Sequence, residues 1–109
     1  MARRLGEFEQ LLLLALVRLG DEAYGVTIRR EIEQRTGRRN VSAGAVYTAL
    51  ERLEARGLVR STWGEPTAER GGKRKKFYRI EPLGMKALSR SYTALQQMAR
   101  GLAPKLEAG

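Results

Sequence analysis

A mainly α-helical protein with one small β-hairpin is what these 109 residues predict, on three observations. Apolar residues recur at helical spacing in three segments before residue 57. Two short β-prone runs then flank a stretch rich in glycine and cations. After Pro82 the apolar residues take an alternating three- and four-residue spacing.

In the first segment Phe8, Leu11, Leu12, Ala15, Leu16 and Leu19 form one helix face, while Leu13, Leu14 and Val17 make the other side apolar too. A helix apolar all round must be covered on several sides. Gly20-Asp21-Glu22 interrupts it, after which Tyr24, Ile28 and Ile32 mark the inner face of a second helix that Gly37 can stop. Its outer face carries Arg29, Arg30 and Arg35. A connector of residues 38–41 leads to Ser42, a good cap for a third helix with Val46, Ala49, Leu50 and Leu53 inside and Gly57 at its end. The other side of that helix begins with Ser42, Ala43, Gly44, Tyr47 and Thr48, small and hydroxyl-bearing residues that allow close approach to a phosphate.

Residues 58–63 and 77–80 read as paired strands, with turns supplied by Gly64-Glu65-Pro66 and Gly71-Gly72. Arg70, Lys73, Arg74, Lys75 and Lys76 crowd the far end of this hairpin with no acid among them. A last helix is expected from Pro82 to Ala103, ahead of Pro104. Met85, Leu88, Tyr92, Leu95, Ala99 and Leu102 form a heptad seam on it, which calls for a second helix and most simply for a second subunit.

Composition bounds the function. With 42% apolar and 30% charged residues the chain is of ordinary globular type, and 21 Lys plus Arg against 12 Asp plus Glu leave a net charge of +9 suited to a polyanion. There is no His and no Cys, so thiol and imidazole catalysis, disulfides and Cys/His zinc sites are excluded, and no cofactor is expected. The apolar run from Leu11 to Val17 is too short to span a bilayer and lacks the flanks of a secretory signal, so no membrane partner and a cytoplasmic location are expected. Scattered carboxylates such as Glu7, Glu9, Glu31 and Glu33 read as solvated helix faces rather than acid/base catalysts.

Three helices, a basic hairpin and a final helix give the order of a winged helix-turn-helix, here with residues 1–81 as the DNA-binding part and 82–109 as a C-terminal dimerisation helix and tail. The stretches Tyr24 to Ile28, Ser42 to Glu54, Gly57 to Val59 and Lys76 to Ile80, followed by Gly84, resemble the PadR family of bacterial transcriptional regulators over roughly Phe8 to Leu102. The chain departs from that pattern at Glu81, where a Thr is common, and in the acid-containing stretch Glu65 to Glu69.

The resemblance implies a homodimer reading a palindromic operator in double-stranded DNA, usually as a repressor. It places Ser42, Gly44, Tyr47 and Thr48 at the DNA-facing start of the recognition helix, Lys73, Arg74, Lys75 and Lys76 on the wing, and Tyr24 at a phosphate. Tyr24 and Tyr47 have packing against the core as a rival role. Related regulators often respond to small aromatic compounds, and Trp63 is a candidate effector contact that with the first and last helices would line an apolar pocket between subunits, with burial in the core as its alternative. The rival functions are a nucleoid- or RNA-associated protein without sequence preference and a winged helix that contacts protein alone.

Overall fold

The computed structural model describes residues 4–65 and 74–108. The first three helices are α1 (Glu7–Leu19), α2 (Gly25–Thr36) and α3 (Ala43–Ala55), with a 3-10 turn at Gly20–Glu22. A hairpin of β1 (Val59–Trp63) and β2 (Lys76–Ile80) follows, then α4 (Pro82–Ala99) and a short α5 (Ala103–Glu107).

Local chemistry sets most of these boundaries. Glu9 accepts a hydrogen bond from the Gly6 amide at 2.8 Å and so closes the start of α1. At the start of α2 the Thr27 hydroxyl accepts from the Tyr24 amide at 3.0 Å and donates to the Glu22 carbonyl at 2.6 Å. Ser42 caps α3 by accepting from the Ala45 amide at 3.0 Å. Gly37 and Gly57 end α2 and α3 with φ of 74° and 76°, a conformation in which a side chain is strained.

The core lies between α1 and the other elements. Leu12, Leu13 and Leu16 of α1 meet Ile28 and Ile32 of α2, Val46, Leu50 and Leu53 of α3, and Tyr78 of β2, all buried. Leu14 and Val17 remain exposed, so α1 is covered on part of its apolar circumference only. The strands are antiparallel and pair Val59 with Ile80 and Trp63 with Lys76. Tyr78 donates its amide to the Ala23 carbonyl at 2.9 Å, and Tyr24 forms a single bridge to Phe77. The hairpin is thereby stitched to the residues that open α2.

The last helix differs from the sequence expectation. It ends at Ala99 rather than Ala103, because Gly101 adopts a φ of 83° and turns the chain. Pro104 then sits in the first turn of α5, where its missing amide and fixed φ are tolerated. Leu102 thus falls outside α4, on the cap of α5. At the other end Glu81 makes no side-chain cap; its carboxylate instead stands 3.3 Å from Arg60.

Candidate nucleic-acid interface

Helix α3 divides cleanly along its length and around its axis. Val46, Leu50 and Leu53 are buried, while Ser42, Ala43, Gly44, Ala45, Tyr47 and Thr48 are exposed at its N-terminal half. The C-terminal half is tied down: Glu54 accepts from both the amide and the hydroxyl of Ser61, at 3.1 and 2.7 Å. The free half of the helix is therefore the half without such ties.

Beside it stands the hairpin, whose cations rest on aromatic faces. The Lys75 ammonium lies 4.5 Å from the centre of the Tyr24 ring, and that ring meets Phe77 edge-on at 5.5 Å. Arg74 and Lys76 approach the Trp63 ring at 5.8 and 5.4 Å, and Arg74 donates to the Gly64 carbonyl at 2.9 Å. Contacts of this kind are each worth about 0.5–1 kcal/mol at exposed sites, enough to orient a flexible side chain without neutralising it. Arg60 and Arg79 are compensated by Glu81 and Asp21, whereas Arg74, Lys75 and Lys76 form no ion pair among the described residues.

Between α3 and the hairpin runs a groove of about 450 Å³ lined by Tyr24, Tyr47, Glu51, Trp63, Lys75 and Lys76, among others. Its floor includes Tyr78, whose phenol is held above the ordinary value of 10.0 by burial first and then by the negative charge of Glu54 and Glu51. Tyr47 leans across the start of α2: its hydroxyl stands where a side chain on Gly25 would be. The structure thus brings Ser42, Gly44, Tyr47 and Thr48 to one exposed surface and sets Tyr24, Arg74, Lys75 and Lys76 beside it. Lys73, expected on the wing, lies outside the described residues.

Burial in the core, the alternative reading of Trp63, is overturned. It is 57% exposed and lines the hairpin groove, so the core is not its place. The reason is the strand register, which sets Trp63 opposite Lys76 at the hairpin end remote from α4. Two other features escaped the sequence. Arg38 and Arg39 lie with Phe8 and Ser42 around a second concavity of about 400 Å³, where Arg38 pairs with Glu7. Gly25 is the other: it falls in the stretch from Tyr24 to Ile28 that carries the resemblance, but its role depends on where Tyr47 lies.

The seam residues of α4 have mixed fates. Leu88 is buried within the chain, whereas Met85, Tyr92 and Leu95 are exposed, Leu95 at 61%. Met98, beside them, is 80% exposed.

The order and docking of these elements are those of a winged helix-turn-helix, with α2 and α3 as the helix-turn-helix and the hairpin as the wing. Residues 13–90 match the model of the transcriptional regulator PadR-like family, and the chain belongs to that family. Transcriptional regulator Rv3488 of Mycobacterium tuberculosis is 36% identical over 80 residues, spanning 73% of this chain and 69% of its own.

Among solved structures the fold is similar to a PadR family transcription regulator from Clostridium difficile R20291, with a TM-score of 0.71 at 22% identity over 93% of this chain and 98% of that one. A transcriptional regulator from Clostridium thermocellum, Cth-833, gives a TM-score of 0.70 at 27% identity, covering 88% of this chain and 89% of its own. The family consists of transcriptional regulators, not enzymes. No described helix is long and apolar enough to cross a membrane.

Proposed function

We propose that the chain is a sequence-specific DNA-binding regulator that represses transcription as a homodimer on a palindromic operator. The observation that carries this reading is the exposed N-terminal half of α3 lying beside three cations of the wing that form no ion pair among the described residues. An α-helix of this kind fits the major groove, and its first exposed residues reach base edges while the wing engages phosphates. Ser42, Gly44, Tyr47 and Thr48 bring the start of α3 to the bases and phosphates of the site in this scheme; Tyr24, Lys73, Arg74, Lys75 and Lys76 fix its register. A repressor of this form acts by occupying DNA that the polymerase needs.

The exposed seam of α4 supports the dimer. Met85, Tyr92 and Leu95 stand in water in the single chain, as does Leu102 just beyond the helix, and a second copy would cover them. Two reading helices related by a two-fold axis require a palindromic site. A small apolar or aromatic effector, where one acts, has its natural place in that inter-subunit seam; a ligand on Trp63 would instead compete directly with DNA.

Selection of bound fragments from the source genome tests the proposal. One enriched palindrome, bound by two chains, is the expected result. Salt-sensitive affinity of equal strength for all fragments would instead identify a general nucleic-acid binder.

A further inference from the structure

Gly25, the first residue of α2, is buried although it opens a helix. Its backbone is one that any residue adopts, since the positive φ values of the described chain belong to Gly20, Gly37, Gly57 and Gly101. What the position lacks is room. A Cβ there would stand 2.2 Å from the Tyr47 hydroxyl oxygen, 2.6 Å from Cζ and 3.2 Å from Cε1 of the same ring. The phenol of the reading helix is thus laid sideways into a notch that exists because Gly25 has no side chain.

All three atoms belong to the outer end of one exposed side chain. A methyl group at Gly25 would be relieved by swinging that ring outward, with no shift of backbone. Gly84 makes the contrast, because a Cβ there meets the carbonyl oxygen of Leu58 at 2.1 Å, an atom that cannot rotate away. A substitution at Gly25 therefore changes where Tyr47 points far more than how well the protein folds.

We infer that Gly25 is a positioning residue for DNA binding: it holds the Tyr47 hydroxyl where α2, α3 and the wing converge, so that the phenol donates to the DNA backbone. The inference rests on the reading of this face as the DNA surface. It assigns the glycine a role exerted through Tyr47 and not through any contact of its own with DNA.

The test compares the unaltered protein with Gly25→Ala, Tyr47→Ala, Tyr47→Phe and the double variant Gly25→Ala/Tyr47→Ala. The probe is a duplex selected from a random pool by the unaltered protein. Gly25→Ala should weaken binding about tenfold or more, the effect of losing a hydrogen bond to a charged group. Its melting temperature should hold. Tyr47→Phe should weaken binding similarly, and in the Tyr47→Ala background the added Gly25→Ala should change affinity by less than about twofold, because the obstructed ring is gone.

Normal binding by Gly25→Ala or by Tyr47→Ala overturns the inference. So do losses that multiply in the double variant, which would mean that Gly25 itself approaches DNA, and a fall in melting temperature that the double variant restores, which would mean simple packing. A Lys75→Ala/Lys76→Ala variant separates the two levels of the argument. If it binds weakly while Gly25→Ala binds normally, the positioning role fails alone; if it too binds normally, the assignment of the DNA surface fails.

Discussion

Gly84 and Gly44 both lie in the first turn of a helix, yet a methyl group would meet opposite conditions at the two. At Gly84 it would strike the Leu58 carbonyl, which already accepts the Glu81 amide at 2.9 Å where the end of α3 passes the start of α4. Gly84→Ala should destabilise the fold by about 1–3 kcal/mol, as overpacking does, and thermal unfolding will show it. At Gly44 no atom lies within 4 Å of the added carbon. Gly44→Leu should leave melting level or raise it, since leucine exceeds glycine in helix propensity by up to about 1 kcal/mol, while affinity for DNA collapses because the bulk projects from the reading face. Normal binding by Gly44→Leu would remove this helix end from the DNA surface. Tyr78 adds a pH effect. Its folded pKa is raised, so the unfolded chain loses the phenolic proton first. Stability should therefore be intact below pH 10.0 and decline as pH rises above it, toward the folded value. Tyr78→Phe should lack that component when melting is followed from pH 8 to 11. Of these residues Gly44 and Tyr47 were recognisable as candidates from the pattern along α3. The significance of Gly25 and Gly84 was not, because it lies in atoms far away in sequence.

The helix limits at Ser42, Gly37 and Gly57 were legible because capping and left-handed turns are local chemistry, carried by the residue itself and its immediate neighbours. The C-terminal limit of α4 was not, because the apolar spacing continues to Leu102 past Gly101, the residue that turns the chain. The wing was legible as a basic hairpin, but not the support of its lysines, since Tyr24 reaches Lys75 from another element and Trp63 approaches Lys76 only through strand register. Two predictions belong to these elements. Lys75→Ala/Lys76→Ala should weaken binding to all DNA and reduce the slope of log affinity against log salt by roughly one for each phosphate no longer neutralised. An unchanged slope would take the wing out of the interface. Leu95→Lys on α4 should leave the chain folded and monomeric, because in the single chain Leu95 is exposed and a cation there is harmless, whereas in a paired seam it is buried without a partner. Light scattering checks it, and a mass of two chains for Leu95→Lys would place the subunit interface elsewhere.

At the scale of the whole molecule the hairpin is joined by hydrogen bonds to the residues opening α2 and to the end of α3, and all three pack on the common core, in a molecule 52 Å along its longest axis. The net charge of +9 is suited to a polyanion but says nothing of how the cations are arranged; Arg79 pairs with Asp21 and Arg60 with Glu81, whereas Arg74, Lys75 and Lys76 rest on aromatic rings beside α3. That selection by neighbours is what composition cannot express. One consequence concerns observation of the protein itself. Trp63 is the sole tryptophan of the chain, and on the wing its ring is approached by a guanidinium and an ammonium. The molecule therefore carries a built-in fluorophore at the surface proposed to meet DNA. When phosphates draw Arg74 and Lys76 off the indole, its emission should change in step with occupancy, so that binding, competition by salt and the effect of every variant described above can be followed by light from the native chain, without a label.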